Sequence, residues 1–310
     1  MASFFEITID ELLSYKPQLT KYQIQKLYER LSNSISEENF DDIFKESEEY
    51  IKNYYSCWEL QARMAQLYLN NYTFAKNKDF ILENIIKKCT LVSENSKNNS
   101  LVREILGIKS TCYLILNKPL EVISLLEDLI KTPDSFELLL SAAYSSVGDL
   151  KKSESLLQKL IYINVIETLQ AFPQIMILYK DNPKKLNNYF NKAISLSKLF
   201  NIDEINPTIV ISIYLNSANI YALINKPLLA IDCIKNAIKL IKKISETDIQ
   251  LKSNNFFDLI EDYFNQLTLG KNPPRNKITI LESFKNSILK NPTFEVLKQE
   301  PKYKNMIKNL

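Results

Sequence analysis

The chain has 310 residues, of which 45% are hydrophobic, and a formal net charge of only +3. Charges of both signs are interspersed along it, which excludes the one-sided basic stripe of a nucleic-acid-binding surface. Three glycines are too few for the tight turns of a β-rich or doubly wound fold. Because apolar residues recur at helical spacing almost throughout, we predict an all-α chain.

The N-terminal third of the chain shows helical periodicity without a clear repeat. Its apolar spacing indicates one or two degenerate helical hairpins, followed by a polar loop at residues 94–100. The predicted helices lie near residues 21–35, 37–53, 56–72 and 79–94.

Four further hairpins are predicted, and they align on Tyr113, Tyr144, Ile177 and Tyr221. The intervals between these residues are 31, 33 and 44, and the first two suit a repeat of about 34 residues. The third interval contains an extra loop near residues 201–206.

The hairpin around Tyr221 is the clearest copy. Ala218 and Tyr221 fall on one face of a first helix, Ala230 and Ala237 on one face of a second, and an Asn-Lys-Pro turn joins them. Small residues where two helices touch, with large ones beside them, are typical of a tetratricopeptide-type hairpin. Such a hairpin cannot bury its apolar face alone, so we predict a tetratricopeptide-like right-handed superhelix of antiparallel helical hairpins.

The array is expected over residues 16–268, and residues 269–310 are expected to cap it. A loop with a Pro pair occupies residues 269–277, and short helices are predicted near 278–290 and 302–309. Lysines on the last of these would supply the polar outer face that a terminal repeat needs.

The sequence offers no set of residues for catalysis. It contains no histidine, which removes Ser-His-Asp and Cys-His chemistry and the commonest metal ligand. Its four cysteines are scattered and form no C-x-x-C pair, so we expect buried free thiols in a reducing compartment. Acidic groups such as Asp41-Asp42, and Asp258 with Glu261 and Asp262, are interpreted as solvated faces or first-turn charges. We therefore expect no enzyme, no metal and no other cofactor.

A peptide-binding groove is predicted on the first helices of the hairpins, because these helices line the concave surface of a stacked array. In the clearest copy, Leu215, Asn219 and Ala222 share one stripe, with Asn216 beside it. An Asn side chain can donate to and accept from a peptide backbone at once, which suits an extended peptide. The alternative is that an Asn-rich chain places these residues at an exposed site by chance.

The matching stripes of the other hairpins are apolar or small, as Ile175 and Leu178 illustrate. Such a groove suits a short hydrophobic peptide better than an acidic tail, and the Lys or Arg residues of a carboxylate clamp are missing from it. The predicted peptide-binding residues are Leu215, Asn216, Asn219, Ala222, Ile175 and Leu178.

Two parts of the chain resemble a known family. The segment FEITIDELL (residues 5–13) resembles the last strand-like piece and helix of an XRE-family helix-turn-helix domain, so residues 1–15 are interpreted as the end of such a domain. The body, with CYLILNKPLEVISLLE and the closing NPTFEVLKQEPKYKNMIKNL, is similar to the helical-repeat sensor domains that follow it in these regulators.

The DNA-reading helices of that family should occupy roughly 60 residues ahead of Phe4, where this sequence has none. DNA binding is therefore expected only through a domain that is missing from this chain. We favour the removal of that domain from a longer protein, with Met1-Ala2-Ser3 as a leader, over a natural stand-alone sensor.

These observations predict a ligand- or peptide-sensing and dimerisation domain of a cytoplasmic bacterial transcriptional regulator, working by population shift. The family resemblance implies a homodimer. A protein–protein interaction scaffold without a small ligand is the alternative. No apolar run approaches ~18 residues and no signal peptide is recognisable, so no membrane contact is expected.

Overall fold

The computed structural model describes residues 18–36, 39–126, 136–267 and 269–308. The described residues are 79% helical and include no strand, so the all-α prediction is confirmed. The segment at residues 1–15 lies outside them. Contacts between helices divide the chain into two compact units, Met1–Pro133 (unit 1) and Asp134–Leu310 (unit 2), a division that the sequence periodicity did not predict.

Unit 1 is a set of helices joined by short connections, and its first four helices begin and end within three residues of their predicted bounds. Thr20 begins the first helix with a capping box, in which its side chain accepts from the Gln23 amide while the Gln23 side chain accepts from the Thr20 amide. The helices are α1 Lys21–Ser34, α2 Phe40–Asn53, α3 Trp58–Asn71, α4 Lys78–Asn95, α5 Asn99–Ile115 and α6 Pro119–Leu126.

The core of unit 1 encloses two cationic side chains. Arg63 on α3 has a side chain that is 3% exposed, and it pairs with Glu59 and with both carboxylate oxygens of Glu104. Lys88 on α4 lies 2.8 Å from the carboxylate of Glu48. Each buried cation thus has an acidic partner nearer the surface, as burial of a charge requires.

Unit 2 contains one unusually long helix, a helical hairpin and a C-terminal group of short helices. A 3-10 helix at Pro292–Gln299 precedes the last α-helix. The α-helices are α7 Phe136–Ser146, α8 Leu150–Leu178, α9 Pro183–Leu199, α10 Ile202–Ile205, α11 Pro207–Leu223, α12 Pro227–Glu246, α13 Glu261–Gln266, α14 Lys277–Leu289 and α15 Pro301–Ile307.

The hairpin of α11 and α12 has the contacts that the sequence predicts. Ala218, Ala230 and Ala237 are each 0% exposed, and Tyr221 is buried beside them. Small side chains let the two helix backbones approach, and larger ones such as Ile234 fill the space next to them. The predicted packing face of this hairpin is confirmed.

Among the described residues, three helix ends share one turn, and each turn follows one of the aligned tyrosines. In the last of them, the amide of Lys226 donates to the Tyr221 carbonyl and that of Asn225 to the Ala222 carbonyl, at 2.8 and 3.1 Å. The same pair of bonds follows Tyr113 and Tyr144. This is the Schellman motif, and its left-handed position is filled by Asn117, Gly148 and Asn225, at φ 56°, 84° and 55°.

The fourth aligned position, Ile177, differs from these three. Helix α8 runs unbroken from Leu150 to Leu178, although the repeat pattern predicts two helices here, the second helix of one hairpin and the first helix of the next. No Gly interrupts this stretch, and the Asn164 side chain donates to the Leu160 carbonyl inside the helix instead of capping a new one. The predicted break between these two hairpins is wrong.

Helix α8 also has the length and composition of a membrane-crossing helix, which was not expected. Its most apolar stretch has a mean hydropathy of 1.3 and is 22% buried. In unit 2 the helix packs against α7, α9 and α11, and Leu169 and Met176 belong to the hydrophobic core. One such helix is weak evidence for a membrane span, because core helices can have the same length and composition.

Candidate functional site

A groove with a volume of about 530 Å³ lies between α8 and α11, within unit 2. Its floor is formed by Leu169, Ile213 and Ile220, which are nearly fully buried. The side chains recur on both helices at intervals of three and four residues, so each helix presents one stripe to the groove. The walls are Gln170, Pro173, Gln174 and Ile177 from α8, and Ile209, Ser212, Asn216 and Asn219 from α11.

The groove is polar but uncharged. Gln170 and Gln174 carry carboxamides on one wall, and Asn216 and Asn219 carry them on the other. No ionisable side chain occurs among the lining residues that the structure describes. Carboxamides both donate and accept hydrogen bonds, and they alternate here with isoleucines, so the groove can bind neutral amide groups and apolar side chains together.

The structure brings two of the six predicted binding residues to this groove. Asn216 is exposed along its wall, and Asn219 is half-buried in it. Leu215 packs against the core beside them, and Ala222 is buried in the core of the hairpin.

The two residues predicted from α8 do not line the groove either. Ile175 is half-buried and Leu178 is 77% exposed, while their neighbours Gln174 and Ile177 face the groove. The difference is one residue, or about 100° around a helix. This shift has a simple cause. Ile177 does not occupy the position in α8 that Tyr221 occupies in α11, so aligning the two residues selects a stripe of α8 that does not line the groove.

Pro173 stands inside α8 and faces the groove. Proline has no amide hydrogen, so the carbonyl of Leu169, one turn earlier in the helix, has no intrahelical donor. The proline ring also crowds that carbonyl. The cost relative to alanine is about 3 kcal/mol in a helix interior. The groove wall therefore contains a proline, the residue with the lowest helix propensity, inside α8, the longest helix of unit 2.

Asn219 connects the groove to the C-terminal segment. Its Oδ1 accepts a hydrogen bond of 3.3 Å from Nδ2 of Asn291, which lies just before the 3-10 helix. The Oδ1 of Asn291 accepts from the amide of Thr293 at 2.9 Å and so caps that helix. Phe294 and Leu297 in the same helix are buried in the core that α11 shares.

A second cavity of about 730 Å³ in unit 2 has a different character. Lysines of α8 face acidic residues of the segment around α13, and Lys159 lies over the ring of Tyr263. Glu261 is paired with Lys271 at 2.7 Å, and this lysine lowers the pKa of the Glu261 carboxyl. The Glu261 carboxylate acts as the partner of a lysine, which agrees with its interpretation as a helix or surface charge, and the Asp258 carboxylate accepts from the Gln158 side chain at 2.7 Å.

The cysteines are buried and free, as predicted. Burial raises the pKa of the Cys112 and Cys233 thiols to about 12. A thiol reacts as a nucleophile or binds a metal in its deprotonated form, so these side chains are unreactive at neutral pH.

Comparison of the chain with protein-family models, curated proteins and solved structures finds no match. The resemblance of the sequence to XRE-family regulators therefore stays a prediction.

Proposed function

We propose that the chain is the ligand- or peptide-sensing domain of a cytoplasmic bacterial transcriptional regulator, and that it binds a short, uncharged, apolar peptide segment in the groove between α8 and α11. The observation that carries this proposal is the facing of carboxamides across the groove, Gln170 and Gln174 opposite Asn216 and Asn219. An extended peptide has amides and carbonyls on both edges of its backbone, and carboxamides on two walls can pair with both.

The finer fold proposed with this function is a tetratricopeptide-like right-handed superhelix. Its support is the repeated Schellman turn after Tyr113, Tyr144 and Tyr221, together with the alanine contacts of the α11–α12 hairpin. The unbroken α8 is a departure from a regular array, because it replaces the turn between two hairpins with continuous helix.

The proposed signal is a change in the population of two domain arrangements. A ligand that binds one arrangement more tightly would shift a homodimer towards it and so reposition the DNA-binding domains attached to it. Sedimentation of the chain with and without a bound peptide tests the dimer. A helix-turn-helix in the reading frame upstream of Met1 would support the regulator, and its absence would count against it.

Calorimetric titration with capped, uncharged pentapeptides rich in leucine tests the groove. We expect Asn216→Ala and Asn219→Ala each to weaken binding by roughly threefold to tenfold, since a neutral hydrogen bond contributes about 0.5–1.5 kcal/mol. Asn236→Ala on α12 is the matched control, because this asparagine is exposed and bonds only within its own helix. If all three variants bind the peptide with equal affinity, the groove is not the binding site.

Salt dependence provides a second test of the same site. Because the lining is uncharged, we expect the affinity to change less than about twofold between low and high ionic strength. A strong salt dependence would favour the charged cavity near Lys159 instead.

A scaffold that binds another protein is the second candidate, and exposed apolar side chains favour it. In unit 2, Leu138 and Leu139 on α7 are 52% and 70% exposed. Side chains of this kind in one patch are typical of a protein-binding surface. Recovery of one stoichiometric protein partner, with no response to peptides, would support the scaffold and count against the sensor.

A further inference from the structure

The orientation of the Asn219 carboxamide is determined by a chain of hydrogen bonds that begins outside the groove. A backbone amide can only donate, so the Asn291 atom that lies 2.9 Å from the Thr293 nitrogen is an oxygen. The other end of the Asn291 carboxamide is then its NH₂ group, which faces Asn219. A donor must meet an acceptor, so the Asn219 atom at 3.3 Å is Oδ1.

With Oδ1 held by Asn291, the Nδ2 of Asn219 is the end of the carboxamide that is directed away from Asn291 and can donate to a ligand. Asn219 lines the groove, whereas Asn291 is not among its lining residues. Since Oδ1 already accepts from Asn291, the opposite end of the same carboxamide has two hydrogens to offer.

We propose that Asn291 is a positioning residue, which fixes Asn219 with its NH₂ group towards the groove, so that the ligand must present a hydrogen-bond acceptor there, such as a peptide carbonyl oxygen. This specificity rests on the proposed binding of a ligand in the groove. A groove carboxamide that could rotate freely would bind ligands that donate and ligands that accept a hydrogen bond equally well. A carboxamide in a fixed orientation discriminates between these two kinds of ligand.

Asn291→Asp reverses the predicted polarity. One carboxylate oxygen still accepts from the Thr293 amide, because Asp is as good an N-cap as Asn. The other oxygen cannot donate, so Asn219 must rotate to donate its NH₂ to the introduced carboxylate and must turn its Oδ1 to the groove. Asn291→Ser is the matched control, since serine also caps a helix but is too short to reach Asn219.

Side-chain amide hydrogen exchange measured by NMR tests the orientation without any ligand. In the wild-type chain we expect the Asn291 NH₂ protons to exchange at least about threefold more slowly than those of Asn219. In Asn291→Asp the Asn219 protons should become the slow ones, and in Asn291→Ser they should stay fast. Protected Asn219 protons in the wild-type chain would overturn the proposal.

Two small probes test the specificity. N,N-dimethylacetamide accepts a hydrogen bond and has no N–H, whereas pyrrole donates one and has no strong acceptor. Titrations followed at the backbone amides of α11 give the ratio of their dissociation constants, which Asn291→Asp should shift at least about fivefold towards pyrrole. A ratio that does not change in Asn291→Asp overturns the specificity.

The outcomes separate this inference from the proposed function. If peptides bind in the groove but neither the exchange rates nor the probe ratio depends on Asn291, only the inference fails. If the exchange pattern is as expected but no peptide or probe binds, Asn291 still orients Asn219, and the proposed function and the ligand specificity built on it both fail.

Discussion

The two units of this chain differ in whether they bury charged side chains. Unit 1 encloses Arg63 and Lys88, each held by a carboxylate. In the described part of unit 2 the buried polar side chains are uncharged, namely Ser141, Ser153, Gln158, Ser197 and Ser217. A buried charge is stable only with its partner in place, whereas a neutral core depends on shape. We therefore expect unit 1 to be sensitive to the loss of single charges and unit 2 to the loss of single methyl groups.

The largest effect is expected in unit 1 for Glu104→Ala. It removes the bidentate partner of Arg63 and leaves a buried guanidinium with Glu59 as its remaining carboxylate. Loss of one partner of a buried pair costs about 3–5 kcal/mol of the free energy of unfolding. Urea denaturation measures the loss, and hydrogen exchange shows whether it is confined to the helices of unit 1.

Two variants sharpen this expectation. Glu83→Ala removes an exposed carboxylate from α4 and should change the free energy of unfolding by less than about 0.5 kcal/mol. Arg63→Met removes the charge but retains apolar bulk, so it should be less harmful than Glu104→Ala. If Arg63→Met lowers the free energy of unfolding more than Glu104→Ala does, the loss of a carboxylate partner by a buried charge is not what determines the stability of unit 1.

In unit 2, Ile234→Ala should cost about 2–4 kcal/mol. Ile234 is fully buried between α11 and α12, and a neighbouring alanine face cannot fill the cavity. Thermal unfolding of this variant is compared with Leu228→Ala, in which the leucine is 58% exposed on the same helix. A similar small loss in both variants would mean that the hairpin core relaxes freely.

Pro173→Ala should stabilise unit 2 by roughly 1–3 kcal/mol. Alanine restores an amide hydrogen that can bond the Leu169 carbonyl, and it removes the crowding of the ring inside α8. The measurement is the urea midpoint of the two chains. Pro183→Ala is the control, because Pro183 is at the start of α9, where no intrahelical bond is lost. A loss of stability in Pro173→Ala would show that a bend at this proline is needed for the packing of α8.

The smallest effect should be the same in both units. Asn117→Ala and Asn225→Ala each place a Cβ-bearing residue without a polar side chain in the left-handed region, at a cost of about 1 kcal/mol. Replacement by Gly should be neutral or slightly stabilising. Denaturation midpoints of the four variants decide this, and a cost in only one unit would show that the shared turn does not have a shared role.

Much of the fold could be predicted from the sequence because the signals are local. The helices of the N-terminal third follow apolar spacing, and the turn after Tyr221 follows from an Asn that tolerates positive φ ahead of a Pro that begins a helix. The continuity of helix α8 was harder to predict, because it follows from the absence of a glycine that would end the helix and because Pro173 lies within the helix without ending it.

The candidate site was predicted only in part. Asn216 and Asn219 lie on the groove face of a helix whose turn was aligned correctly. Gln170 and Gln174 were missed, because the stripe of α8 was assigned from a turn that differs from the others. Two carboxamides one turn apart on α8, like the nearby pair on α11, were the signal that could have identified them.

By itself the sequence determined the helical class, the packing face of the α11–α12 hairpin and the positions of the repeated turns, since periodicity and backbone conformation depend on neighbouring residues. Only the tertiary structure decided which face of α8 lines the groove, because that depends on what the helix packs against. Only the tertiary structure, likewise, brought Asn291 to Asn219 across 72 residues of chain, and the orientation of one carboxamide depends on that contact.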